Sequence, residues 1–187
     1  MKLYQTVLIA LITIIFTSCS TGYTLTNGPA DYRLKMVQLD KLSIGLHVAD
    51  ADKNTPDNIS AFLMINHAQS KSGLKISNLA VTLQNTQSGD KYLAADTVAM
   101  RYSADTVIQR REEVLSNHDL LNGKIIRIAD RTTYTLSYHF AAPATKQQSK
   151  DITGQVEFNQ TDTSGNTVRV TKSFNFQRNK YLNVSGN

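Results

Sequence analysis

Thr133-Tyr-Thr-Leu-Ser-Tyr-His-Phe140 decides how this chain folds. Tyr134, Leu136, Tyr138 and Phe140 occupy every second position, and Thr133, Thr135, Ser137 and His139 fill the alternate ones. Successive side chains of a strand point to opposite faces, so this spacing gives one apolar face and one polar face. The same period recurs on both sides of the stretch. Leu42, Ile44, Leu46 and Val48 alternate with Lys41, Ser43, Gly45 and His47. Ile152, Gly154, Val156 and Phe158 form another row, and Val168, Val170, Phe174 and Phe176 return from a turn at Thr161–Asn166.

Between these rows the pattern predicts further strands. Ile59–Asn66 is apolar enough to be central, Leu74–Leu83 places Leu79, Val81 and Leu83 on one face, and Lys91–Tyr102 holds one or two short strands. Lys124–Ala129 resumes as a strand. Residues 106–123 are ambiguous. Val107, Ile108, Val114 and Leu115 have helix-like spacing, and Ser116-Asn117-His118-Asp119 reads as a breaker, so a short helix or an irregular crossover competes with a strand. Seven or eight strands without a long amphipathic helix predict an all-β, two-sheet sandwich. The absence of Trp and of a cysteine pair excludes an antibody-type domain and leaves the wider immunoglobulin-like class.

The chain has 187 residues and a formal net charge of +5. No Lys/Arg cluster marks nucleic-acid binding, and the longest charge run, Arg110-Arg111-Glu112-Glu113, neutralises itself as a solvated face would. The four histidines, His47, His67, His118 and His139, share no short spacing of the kind that holds a metal. Asp50–Asn54 begins like a calcium loop but has Thr55 and Ala61 where that loop needs Gly and Glu. No G-x-S-x-G turn or Gly-rich phosphate loop occurs, and Glu112 and Glu113, being adjacent, diverge. The sequence therefore predicts no catalytic residues, no metal, no cofactor and no enzyme activity.

The amino terminus supplies the one specific chemical expectation. Lys2 precedes ten apolar or near-apolar residues, Val7–Phe16, and Thr17-Ser18 lead into Cys19, the only cysteine. A bilayer-spanning helix needs about 17–25 residues, so this segment has the length of a secretory signal. Phe16-Thr17-Ser18-Cys19 resembles the lipobox of bacterial lipoproteins, with Ser18 as the small residue before the cysteine and Phe16 in place of the usual Leu. The resemblance covers about twenty residues. It implies cleavage before Cys19, a diacylglyceryl group on its thiol and acylation of the new amino group. Two or three acyl chains on one residue hold a membrane stably where one does not. The competing reading is a free thiol beside an uncleaved segment.

On this reading residues 1–18 are a signal peptide, 19–33 a flexible tether and 34–187 the sandwich domain. About 14 tether residues would span roughly 20 Å. Ser20 is non-acidic, as in lipoproteins sorted to the Gram-negative outer membrane, and the acidic stretch that drives surface display in some groups is missing, which favours the periplasmic face. The expected function is a lipid-anchored binding module of the envelope that meets another envelope protein or a glycan, and no nucleic acid. The alternative is a subunit or accessory of a surface assembly or fibre, and a third reading is an envelope enzyme with a loop-built site. Ala95-Asp96-Thr97-Val98 is repeated as Ala104-Asp105-Thr106-Val107. Asp-Thr before an aliphatic residue resembles an O-glycosylation motif of some Gram-negative anaerobes, which makes Thr97 and Thr106 candidate glycosylation residues. Two similar strand entrances explain the repeat equally well.

Overall fold

The computed structural model describes residues 19–26, 36–50, 58–67, 73–104, 107–142 and 151–184. Its strands are β1 (Cys19–Thr26), β2 (Met36–Gln38), β3 (Ser43–Asp50), β4 (Asn58–His67), β5 (Leu74–Asn85), β6 (Leu93–Ala94), β7 (Thr97–Ala104), β8 (Val107–Ser116), β9 (Ile126–Ile128), β10 (Thr132–Ala141), β11 (Asp151–Thr161) and β12 (Thr167–Val184), with one short helix, α1 (Asn117–Leu121), after β8. Two antiparallel sheets form. One has five strands in the order β1-β12-β11-β5-β9. The other has seven, in the order β2-β3-β4-β10-β7-β8, with β6 pairing β10 off that path. The two-sheet sandwich expected from the alternation is what the chain forms, in the layered manner of immunoglobulin-like domains. Its strands outnumber the seven or eight expected because β1 and β8 form where a tether and an ambiguous segment were expected, and three-residue β2 is too short to show a period.

The core lies between the sheets and is built from the predicted rows. Leu42, Ile44, Leu46, Val48, Leu136, Tyr138, Ile152, Val156, Phe158 and Phe176 are all buried. Gly154 sits in the same inward row of β11, where a Cβ would lie 2.5 Å from Leu46 Cδ2 on the facing sheet, 3.0 Å from Phe176 Cε2 and 3.3 Å from Leu83 Cδ2. A side chain is omitted there because the sheets approach too closely to admit one. In β5, Ile76 and Leu79 both face the core although three residues separate them. Asn78, with φ at +52°, and Leu79 together oppose Phe158, a bulge that resets the period.

Two sequence expectations need correction. Cys19–Thr26 does not form a tether. It is strand β1, paired along its length with the end of β12 from Cys19↔Val184 to Thr26↔Gln177. The long β12 offers an open edge, and the Thr- and Tyr-containing segment has the β preference to fill it. The rest of the expected tether, and the whole expected signal peptide, lie outside the described residues. The ambiguous segment resolves as a strand to Ser116 followed by α1. The supposed breaker is a helix start: Ser116 Oγ accepts from the Asp119 amide at 3.3 Å, and the Asp96 carboxylate accepts from the His118 amide at 2.9 Å.

Candidate functional site

The sheets differ in width, and the difference exposes a groove. On one side of the sandwich the outermost strands are β8 and β9. In β8, Leu115 pairs with Val98 and is buried, and Glu113 pairs with Met100. Cross-strand partners share a face, so Glu113 belongs to the core-facing side of its strand. The five-stranded sheet ends in three-residue β9 and does not cover it, leaving the Glu113 side chain 51% exposed. A cavity of about 520 Å³ opens here, lined by Met100, Tyr102, Glu113, Leu115 and Tyr134 from the wider sheet. Lys75, Lys124, Ile125, Ile126 and Arg127 make the opposite wall.

Two tyrosines fix the inner wall. Tyr102 on β7 and Tyr134 on β10 are register partners with ring centroids 5.6 Å apart and planes 26° from parallel. The Tyr134 hydroxyl accepts from the Ala129 amide at 3.0 Å and donates to the Arg127 carbonyl at 3.1 Å. It thereby ties the end of β9 to the other sheet. Burial pushes the Tyr134 pKa above the ordinary phenol value, and the Ala129 hydrogen bond pulls the other way.

The outer wall is cationic. Lys75 and Arg127 lie directly opposite each other in the β5–β9 pair, and both are exposed. Among the described residues neither has an acidic partner within ion-pair reach. Like charges directly opposite across two strands are destabilising. Lys124 meets Glu113 at 3.7 Å in a pair more than one third exposed on both sides. A second cavity, of about 540 Å³, continues along β9 past Lys75 and Arg127 to Leu74, Ile128 and Asp130. The site thus combines three cations, two carboxylates (Glu113 and Asp130) and a partly apolar lining. It can hold a ligand by charge and burial.

The other candidate residues scatter. Cys19 opens β1, far along the sheet order from β9. Thr97 is exposed as the first residue of β7; Thr106 lies outside the described residues, as do residues 51–57, the greater part of the calcium-like stretch. His47 stacks on Phe62 at 6.1 Å, and burial lowers its pKa. His67 is buried with Nδ1 3.7 Å from an Asp130 carboxylate oxygen. Ser60 Oγ is 3.3 Å from His139 Nδ1 beside a third cavity of about 490 Å³ that includes exposed Leu93. Among the described residues no carboxylate orients that imidazole, so the arrangement a serine nucleophile requires is incomplete. No group of three or more His, Cys, Asp or Glu converges among the described residues, and no helix among them is long and apolar enough to cross a membrane.

Sequence reasoning placed Glu113 in a solvated charge run, read Tyr134 and Leu115 only as apolar pattern positions, and assigned no binding role to any groove residue. The available signal was parity: Val98, Met100 and Tyr102 form one row of β7, but its pairing with Tyr134 and the opposition of Lys75 to Arg127 require the register.

No family model matches the chain, and no curated protein does. Among solved structures, the collagen-binding subdomain of the Enterococcus faecalis surface protein ACE is similar at a TM-score of 0.39 and 10% identity, covering 63% of this chain and 85% of that one. The collagen-binding domain of the Erysipelothrix rhusiopathiae surface protein RspB gives 0.39 and 13%, covering 87% and 58%. The CooA pilin subunit of enterotoxigenic Escherichia coli gives 0.29 and 14%, covering 70% and 95%. At these scores the likenesses assign no function.

Proposed function

We propose that this protein is a lipid-anchored binding module of the cell envelope and that the groove between β8 and β9 is its binding site. The observation that carries the reading is the opposed pair Lys75 and Arg127 at the mouth of a cavity whose lining is half apolar. The lipobox resemblance at Phe16–Cys19 supports the anchor. Because β1 begins at Cys19, an acylated cysteine would join the sheet directly, and the domain would rest against the headgroups on the periplasmic side of the outer membrane. The module works by recognition and needs no catalytic group or cofactor.

The site is tested by a photo-crosslinking side chain at Ile125 in the full chain expressed in intact cells, with the same group at Leu93 as a control in the remote cavity. The Ile125 probe should give a discrete adduct that Leu93 does not give; identical adduct patterns would remove the groove from the proposal. The anchor is tested by fatty-acid labelling, which Cys19→Ala should abolish. Label retained in that variant would refute lipidation.

A second reading, an assembly subunit, is favoured by one observation. β1 is an outermost strand of eight residues, and Cys19–Thr26 has no charged residue and no proline. β8 carries Arg110, Arg111, Glu112 and Glu113, and edges β2 and β9 have three residues each. Uncharged long edges pair with other chains, and a lysine blunts them. Oligomers on chemical cross-linking that Thr24→Lys removes would establish this reading; a monomer at all concentrations would end it.

A further inference from the structure

We infer that the ligand of the groove is an extended acidic peptide in which apolar side chains alternate with carboxylates. The inference rests on the groove being the binding site. Lys75 and Arg127 set like charges opposite each other in the β5–β9 pair, and no described acid lies within ion-pair reach of either, although Asp130 lines the second cavity beside them. A carboxylate set between them converts a repulsion present in the free protein into two attractions in the complex. Lys124 extends the same wall, and its exposed 3.7 Å contact with Glu113 is weak enough to be shared with an incoming acid.

The apolar half of the lining selects the rest of the ligand. Ile125 is 56% exposed at the mouth, and Met100, Leu115 and Ile126 form the interior. Along β9 the sequence runs apolar, cationic, apolar, with Ile126 and Ile128 buried and Arg127 exposed. Both cavities are lined by Lys75 and Arg127, so the site extends along β9 on either side of the cations. A strand-like peptide repeats its side chains with the same two-residue period and meets both features at once. An acidic saccharide would supply the carboxylate, but it has no alkyl side chains for Ile125 and Ile126.

The test uses the full-length protein in a non-ionic detergent and fluorescence anisotropy of labelled synthetic peptides. The probe is an octapeptide alternating leucine with aspartate; the controls alternate leucine with lysine and serine with aspartate. Polygalacturonate and phosphatidylglycerol vesicles serve as competitors. The leucine–aspartate peptide should bind at least tenfold more tightly than either control, and its affinity should fall as salt rises. The double variant Lys75→Glu/Arg127→Glu should lose at least tenfold and bind the leucine–lysine peptide instead. That reversal of preference shows that the variant is folded, and Lys75→Gln/Arg127→Gln should fall between the two. Equal binding of the three peptides, an unchanged affinity in both double variants, or stronger binding of either competitor would overturn the inference. An Ile125 adduct that persists unchanged in Lys75→Glu/Arg127→Glu would retain the groove as the site and reject an acidic ligand. Absence of that adduct in the native chain would reject the site itself.

Discussion

Gly154→Ala should destabilise the protein, although alanine favours a strand more than glycine does. The new Cβ would stand 2.5 Å from Leu46 Cδ2, a distance that real Cβ contacts do not show. Leu46 cannot swing aside freely, because it is fully buried between the sheets, and Phe176 at 3.0 Å and Leu83 at 3.3 Å close the neighbouring directions. Forcing an extra methyl into a packed core costs about 1–3 kcal/mol. The smaller conformational entropy of unfolded alanine returns about 0.5–1 kcal/mol. Taken at mid-range the net loss is about 1 kcal/mol, which for a domain of this size lowers Tm by roughly 2–4 °C. Urea denaturation should show a lower midpoint with an unchanged slope. Leu46→Ala alone should cost about 2–5 kcal/mol through the cavity it leaves. In the double variant the methyl introduced by Gly154→Ala would occupy part of that cavity, so the two losses should fall short of additivity by at least ~0.5 kcal/mol. A Gly154→Ala protein as stable as the parent, or strictly additive losses, would refute the claim that inter-sheet contact dictates this glycine.

Two buried tyrosines should respond oppositely to loss of their hydroxyls. Tyr138 is 1% exposed and its hydroxyl has no hydrogen-bond partner among the described residues, while burial drives its pKa upward. Tyr138→Phe removes an unsatisfied polar group that costs about 1–3 kcal/mol and should raise Tm; a fall would show that the hydroxyl is satisfied in solution. Tyr134→Phe orphans the Ala129 amide and the Arg127 carbonyl and should lower stability by about 1–3 kcal/mol, with a melting curve no different from the parent as the contrary result. Asp96 supplies a pH dependence: the His118 amide and then the Ser116 hydroxyl hold its carboxyl below the usual carboxylate value. A depressed folded pKa stabilises the fold above the unfolded value near 3.9 and loses that contribution as pH falls through the folded value. Asp96→Asn should therefore lose less stability than the parent between about pH 5 and pH 2, and equal acid slopes would exclude the cap as their source.

What could be read in advance was whatever repeats every two residues within one strand. The Tyr134–Phe140 row gave one layer of the sandwich and the Ile152–Phe158 row the other, because a half-buried strand declares its buried face locally. The expectation failed at Cys19–Thr26, whose strand forms along the edge that β12 offers by running on to Val184; nothing in those eight residues names a partner so distant in the chain. It failed at Ser116–Asp119 for a related reason. Ser, Asn and Asp favour caps and turns alike, and the carboxylate that selects the cap is Asp96, supplied by the entrance of β7.

The groove was hidden for a deeper reason, because it results from a mismatch between two sheets. Glu113 has the parity of a core residue and the chemistry of a surface one. In a sequence that conflict looks like a broken pattern, and in the fold it marks where the narrower sheet stops. Lys75 and Arg127 are unremarkable until the register sets them opposite each other. A stable domain has no need of that opposition, and one glutamate at either position would remove it. Its presence beside a partly apolar opening is a local conflict of the kind expected where a fold gives up some stability to recognise something else. The geometry therefore connects the groove to binding through the repulsion itself: a partner that brings a carboxylate to this point gains affinity from a cost that folding has already met.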